Sequence, residues 1–399
     1  MHDLADAVAP DAVSLGAPHL DTSLLRLGFV PLTDAAPLLV AQAKGFFRRH
    51  DVRVELVRVG AWAALRDKLA FGRLDGAQML SPMPIAITLG LAAVQAPVVV
   101  AATLGLNGNS ITLGHALWGE IESAAPELAI RRPLPAAALA AALSARAAAG
   151  RPAPVLAVVY PFSSHNYLLR HWLHAGGIDP DRDVRLTVVP PPDIADALAD
   201  GAIDGFCAGE PWGSRAVDLR VGRIALISAD IWRNHPEKVL AVTAEQAARH
   251  PARLAAAQAA VIEAGRWLDR PENHAEATHL LVDEMLPELP LSVVALALEG
   301  RLVMTPDEAP VMAQGPVFHA EHATYPYPAH GDWWLSQMRR WQHVPAELDP
   351  GDTRHIWRPD LWQRAAALID EPTPPATPDG TPLSGAPPSG VQTSGVRPA

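Results

Sequence analysis

From Leu24 onward the chain alternates short apolar runs with runs of helix length, and few architectures accommodate that order. Segments 24–30, 52–59, 74–80, 96–104 and 110–114 read as strands, while 34–50, 61–72 and 82–92 read as helices. A second block continues the pattern, with strands predicted at 153–160, 184–190, 202–209 and 223–228. Its helices are predicted at 133–150, 163–177, 192–201 and 211–220. Strands separated by amphipathic helices form βαβ units, whose strands lie parallel in one sheet with helices on its faces. Local signals agree: Asp34 stands where a helix N-cap is expected, Arg48 to His50 suit a helix C-terminus, and Gly72 suits a helix stop. Segment 223–228 is expected to return the chain to the first block. There 238–243 adds a strand and mostly helices follow to about 370.

The two blocks share an internal echo. Gly72-x-x-Asp75-Gly76 matches Gly201-x-x-Asp204-Gly205, and Pro82 falls opposite Pro211. Each copy reads as helix, glycine stop, short strand, then a helix opened by proline. Proline suits the first helical turn because its missing N–H needs no partner there. In open α/β sheets ligands bind beyond the carboxyl ends of the strands, and a helix N-terminus at that edge favours an anion. Two such edges can face each other across a cleft, although any doubly wound protein repeats strand–helix units.

Bulk composition narrows the function. A chain of 399 residues with a net charge of −11 offers no broad surface for nucleic acid or anionic membrane, though a local basic site for one small anion is compatible with it. The single cysteine, Cys207, excludes an intrachain disulfide and a Cys-based metal cluster, and its apolar strand suggests packing. His171 and His174, three apart on one predicted helix, are the nearest approach to a metal pair and lack an acidic neighbour in sequence. The HExxH, GxGxxG, Walker and GxSxG patterns are absent, so neither a cofactor nor catalysis is expected. The first residues carry Asp3, Asp6 and Asp11 where a secretory signal needs a basic region and a continuous apolar run, which reads as a cytoplasmic protein. From Pro372 to Ala399 the chain is mostly Pro, Gly, Ser and Thr with almost nothing to bury, and is expected to be disordered.

Seven segments in order carry a family resemblance: LGFVPLTDAAPLLVAQAKGFF, GAWAALRDKLAFGRLDGAQMLSPMP, LNGNSITLG, HNYLLRHWLHAGGI, GEPW, HPEKVLAVT and ATYPYPAHGDWWLSQMRRW. Together they resemble the nitrate- and bicarbonate-binding proteins of the NrtA/CmpA type and their cytoplasmic relative, the nitrate sensor NasS. The likeness runs from about Leu24 to Trp341. It implies a bilobal, periplasmic-binding-protein-like (type II solute-binding) α/β fold with an interlobe cleft. On that reading 1–23 is a flexible leader, 24–118 plus 224–371 form a discontinuous first lobe, 119–223 form the second, and 372–399 are the tail. The leader brings the chain nearer to NasS, which implies a sensor of nitrate or nitrite controlling a NasT-like ANTAR antiterminator. The alternative is the substrate-binding component of a nitrate or bicarbonate ABC transporter.

Nitrate is planar and singly charged, and a site for it needs one positive charge, several N–H donors and a flat surface for its face. By motif match the resemblance assigns Trp62 to the anion's face, His165 to an N–H contact and Lys238 to the full charge. It also assigns Gly209 to a close backbone approach. Asn109 stands where the family commonly has Gln, one methylene longer, so its reach to the anion is shorter. Gln78 is a candidate cleft-wall residue, with a position facing the neighbouring strand equally open. The Trp-rich segment around Trp333, Trp334, Trp341, Trp357 and Trp362 is expected to pack on the first lobe, with a partner surface as the other option. An enzyme on this fold, such as a thiamine-pyrimidine synthase, needs a cofactor-type lysine and a cysteine-rich iron motif that the chain lacks.

Overall fold

The computed structural model describes residues 24–345, 347–348, 351 and 353–378. The leader 1–23 and the tail from 379 onward lie outside the described residues, and 372–378 carry no helix or strand. Ten strands build two five-stranded sheets of matching design. The first contains β1 (Leu25–Phe29), β2 (Val54–Arg58), β3 (Gly76–Leu80), β4 (Val98–Leu106) and β10 (Pro236–Thr243), in the order β2-β1-β3-β10-β4. The second contains β5 (Asn109–Gly114), β6 (Val155–Val158), β7 (Arg185–Val188), β8 (Gly205–Gly209) and β9 (Gly222–Ile227), in the order β7-β6-β8-β5-β9. This is the type II periplasmic-binding-protein fold, as the family resemblance implies.

Two strands lie elsewhere than the predicted lobe boundaries put them. β5, expected with the first lobe, pairs antiparallel with β8 and β9 of the second sheet. β9, expected to return the chain to the first block, also belongs to the second sheet, and the return is made by β10. Each sheet therefore receives one antiparallel strand immediately after a crossover. β5 and β10 are apolar enough to fit either sheet, and nothing local distinguishes the two.

The sequence echo has a physical basis. Gly72 and Gly201 both take left-handed backbone, at φ +66° and +69°, and end their helices as left-handed glycine caps do. Asp75 then accepts from the Arg26 N–H at 2.8 Å, and Asp204 accepts from the Val155 N–H at 2.8 Å. Each aspartate thereby clips the start of the adjoining parallel strand. Gly76 and Gly205 are needed for close approach: a Cβ on Gly76 would sit 2.9 Å from Leu27, and one on Gly205 would sit 2.8 Å from Leu113. The helices that follow begin at Met83 and Trp212, with Pro82 and Pro211 as their N-caps.

The chain crosses between sheets at 107–108 and again at 228–235. Asn107 and Asn234, both at positive φ, clasp the two crossings together. The Asn234 N–H donates to the Asn107 side-chain oxygen at 2.8 Å, and the Asn107 N–H donates to the His235 carbonyl at 3.0 Å. Short polar side chains that tolerate left-handed backbone suit such a crossing.

Beyond β10 the chain packs mainly on the first sheet but reaches across. Trp357 forms an isolated bridge with Val100 of β4, and the Trp362 indole N–H donates to the Thr324 hydroxyl. Trp333 and Trp334 stack on Trp232 of the second crossing at 4.2 and 5.4 Å between ring centroids. The Trp334 ring also meets Tyr167, and Arg170 lies over Trp341, so this segment contacts the second-lobe helix Ser164–Ala175. The tryptophans thus pack on both lobes, beyond the expected first-lobe position. Cys207 is buried in β8, and burial pushes its thiol up.

The two glycine stops provide a clean test. Nothing lies within 4 Å of a Cβ added at Gly72 or Gly201. Gly72→Ala and Gly201→Ala are therefore expected to cost only the strain of an L side chain in left-handed backbone, about 1 kcal/mol each. The urea midpoint measures this, and an unchanged midpoint in both variants contradicts the assignment.

Candidate functional site

The inserted strands define the site. β10 runs antiparallel to β3, so its first residues lie beside the carboxyl end of β3, with Lys238 opposite Leu80. β5 does the same in the second sheet, with Asn109 opposite Gly209 at the end of β8. Both sheets therefore present their ligand-binding edges to one interlobe region. Ordinary strand alternation would point Glu237 and Lys238 to opposite faces. Register shifts between Pro236 and Lys238, and between Lys238 and Val239, disturb that alternation, and both side chains enter the same cluster.

All six residues expected from the sequence meet there. The Lys238 ammonium lies 2.7 Å from the Asp34 carboxylate, donates to Glu237 as well, and sits 5.5 Å from the Trp62 ring centroid. Trp62 is the first residue of the helix Trp62–Ala70 and is 1% exposed. His165 stands in the first turn of the helix Ser164–Ala175, which Ser163 caps by accepting from the Asn166 N–H. Its Nε2 is 3.4 Å from Glu237. The Asn109 amide donates to the other Glu237 oxygen at 2.6 Å. Gln78 braces the cluster: its oxygen accepts from the Val30 N–H at 2.8 Å, and its amide nitrogen donates to Asp34. A Cβ on Gly209 would stand 3.4 Å from Asp34 and 3.5 Å from Asn109, so a side chain there would fill the space between them.

The structure brings in residues that the sequence reading passed over. Asp34 is no helix cap; it lies in the turn Thr33–Ala35, and its carboxylate turns inward to Lys238 and Gln78. Its spacing before an apolar run imitates a cap, which conceals the other role. Glu237 was hidden because the bulge leaves no mark in sequence. His235 adds an imidazole 3.7 Å from Glu237. Glu210, part of GEPW, occupies the helix start that had been expected to face an external anion. It accepts from the Ser214 N–H at 3.1 Å and from the Ser110 hydroxyl at 2.7 Å.

Electrostatically the cluster is one ammonium between two carboxylates, all nearly shielded from water. Burial pushes Asp34 up, Lys238 opposes it, and the carboxyl settles at about 6. Burial acts on Glu237 in the same sense, but Lys238, His165 and His235 outweigh it and hold Glu237 at about 2. Desolvation drives His165 down to about 3 and His235 to about 4, so both are neutral near pH 7. Burial alone would lower Lys238, yet Asp34 and Glu237 raise it. Lys238 therefore carries a full charge, but one already matched by its neighbours. Trp62 Nε1, Asn109 Oδ1 and His165 Nδ1 are buried without a hydrogen-bond partner among the described residues. Buried polar atoms are ordinarily satisfied, so these point to a polar guest. Across the cleft, the Thr33 hydroxyl donates to the Glu210 carbonyl at 2.9 Å, and Arg66 donates to the Tyr160 hydroxyl at 3.1 Å. The lobes are in contact around the cluster. No group of three or more His, Cys, Asp or Glu is arranged to hold a metal among the described residues, and no described helix is long and apolar enough to cross a membrane.

These shifts fix a sign for stability against pH. His165, His235 and His330, the last held at about 3 by burial, bind protons in the unfolded chain from about pH 6.5 but not in the fold. Stability is lost as pH falls below 6.5. Asp34 acts oppositely, because the folded form takes its proton first, between about 6 and 3.8. Burial also lowers His171, His174 and His343, and it raises Glu210 and Asp230 as it raises Asp34, so six histidines stand against three carboxyls and leave a net loss, about 1.4 kcal/mol per pH unit for each uncompensated proton. Thermal unfolding is expected to show a Tm that falls steadily from pH 7 to pH 5, and a flat or rising Tm contradicts the burial of these imidazoles.

Comparison with known proteins places this geometry in a family. Residues 19–282 match the NMT1-like family. The nitrate/nitrite-binding protein NrtA of Nostoc is 32% identical over 373 residues, covering 91% of this chain and 81% of the relative. The bicarbonate-binding protein CmpA of Synechococcus is 31% identical, covering 90% and 81%. The crystal structure of the periplasmic nitrate-binding protein NrtA from Synechocystis superposes with a TM-score of 0.79 at 30% identity, covering 88% of this chain and 90% of that one. The chain belongs to the NMT1-like family of solute-binding proteins, non-enzymatic, in the branch that includes NrtA and CmpA.

Proposed function

We propose that the chain binds a small planar monoanion, nitrate or nitrite with bicarbonate as the competing candidate, between its two lobes. One observation carries this: Lys238, His165, Asn109, Trp62 and Gly209 converge from both sheets on one buried cluster that includes polar atoms without a partner among the described residues. Donors fixed by two separate lobes favour the form in which both touch the ligand, so binding shifts an open–closed equilibrium toward closure. The sheets, joined only through 107–108 and 228–235 along the chain, are the two bodies that move, with the first lobe discontinuous.

The likeness to NrtA and CmpA supports the role of solute receptor for an ABC importer better than that of a sensor. A region of the nitrate import ATP-binding protein NrtC of Synechocystis also matches, at 34% identity over 373 residues. The sensor reading, in which anion binding controls a NasT-like ANTAR antiterminator in the cytoplasm, rests on the resemblance to NasS. The two roles separate experimentally. A receptor is found outside the cytoplasm on cell fractionation. A sensor stays inside, and its antiterminator weakens nitrate binding by the factor that nitrate weakens the antiterminator.

The site itself is tested by titrating the purified protein with nitrate, nitrite and bicarbonate while following tryptophan fluorescence. Lys238→Ala is expected to weaken binding at least a hundredfold. Trp62→Ala removes the aromatic face and is expected to weaken binding about fivefold, the loss of about 1 kcal/mol of apolar contact. Unchanged affinity in both variants places the ligand elsewhere.

A further inference from the structure

Lys238 cannot receive an anion without a change in its surroundings. Its ammonium already donates to two carboxylates, Asp34 and Glu237, which are 6% and 1% exposed. Nitrate only accepts hydrogen bonds, and so does each ionised carboxylate. Placing nitrate beside Lys238 therefore gathers three acceptor-only anions around one cation in a buried volume, where unpaired charge is costly. One of the acceptors has to become a donor.

The two carboxylates are unequally placed to do so. Glu237 already accepts from Lys238 and from the Asn109 amide at 2.6 Å, with the neutral rings of His165 and His235 standing 3.4 and 3.7 Å away. Asp34 has Lys238 and the Gln78 amide alone. Its Oδ2 also borders the space beside Gly209, 3.4 Å from where a Cβ would stand.

Resting on the anion-site reading above, we propose that an acceptor-only monoanion enters together with one proton, which Asp34 holds. Asp34 is then a specificity-determining residue, and the proton is a co-ligand. On binding, the Asp34 carboxylate becomes a carboxylic acid whose O–H donates to the anion, Gln78 continues to donate to its carbonyl oxygen, and the Lys238 bond to Oδ2 passes to the anion. The cluster keeps its total charge, because the anion's charge arrives with the proton's. The free Asp34 carboxyl, pushed up to about 6, is close enough to neutrality for this exchange near pH 7. The other titratable groups on the packed elements are Glu237, Lys238 and His235 on or beside β10, His165 on the second-lobe helix and Cys207 on β8. Glu210, across the cleft from Thr33, has its carboxylate turned to Ser110 and Ser214. Of these His165 and His235 are the rival proton acceptors, since both His165 ring nitrogens and His235 Nε2 have no hydrogen-bond partner among the described residues.

Calorimetric titration with potassium nitrate at pH 7.5, in two buffers of different ionisation enthalpy, counts the protons taken up. The wild type is expected to take up about one proton per nitrate, and its affinity to fall about tenfold per pH unit between pH 7 and 8. Asp34→Asn keeps the acceptor for Gln78 and imitates the neutral acid. It is expected to bind nitrate with near-zero proton uptake and an affinity that is flat over the same range. Nitrate binding by the wild type without proton uptake overturns the proposal, independently of how the variant folds. Asp34→Asn retaining the full proton overturns it too, by moving the proton to one of the two histidines. No nitrate binding by the wild type overturns the nitrate reading itself and this coupling with it.

Discussion

Everything at the centre of this molecule depends on holding one ammonium out of water. Lys238 is fully buried, and its charge is tolerable because Asp34 and Glu237 meet it from two different parts of the first lobe. That triad is expensive to assemble and gives little net stability by itself, since desolvation offsets most of the attraction. Glu237 in turn reaches Asn109 and His165 on the second lobe, so the charge cluster is also a joint between lobes.

The backbone serves that cluster. Two sheets of the same order each accept an antiparallel strand at the fourth position, and those strands begin at the interlobe edge. The Asn107–Asn234 clasp ties the crossings at their root. The aromatic stack of Trp232, Trp333 and Trp334 covers the second crossing and touches the second lobe through Tyr167. The connection between the two sheets is thus polar at one side and packed at the other.

Much of this was readable in the residues. Alternation of strand and helix identifies the fold class because periodicity is a local property of the chain. The glycine–aspartate echo marks equivalent positions in the two sheets, since left-handed stops and close strand contacts demand those residues. Family likeness brought Trp62, Gln78, Asn109, His165, Gly209 and Lys238 to attention, and the fold gathers all six. What escaped depends on tertiary context. β5 and β9 carry no local sign of which sheet they join. Asp34 resembles a helix cap, and the bulge that turns Glu237 inward leaves no trace in a strand of ordinary composition. Glu210 fills, with the chain's own carboxylate, a helix start that looked open to a ligand.

The central claim is that a small anion sits between the lobes against Lys238. A crystal structure of the protein grown with nitrate tests it most directly. The account predicts a planar density between the sheets, within hydrogen-bond distance of the Lys238 ammonium and the His165 ring, with its face on Trp62. Density for nitrate at another place, or a cluster unchanged at saturating nitrate, would contradict it.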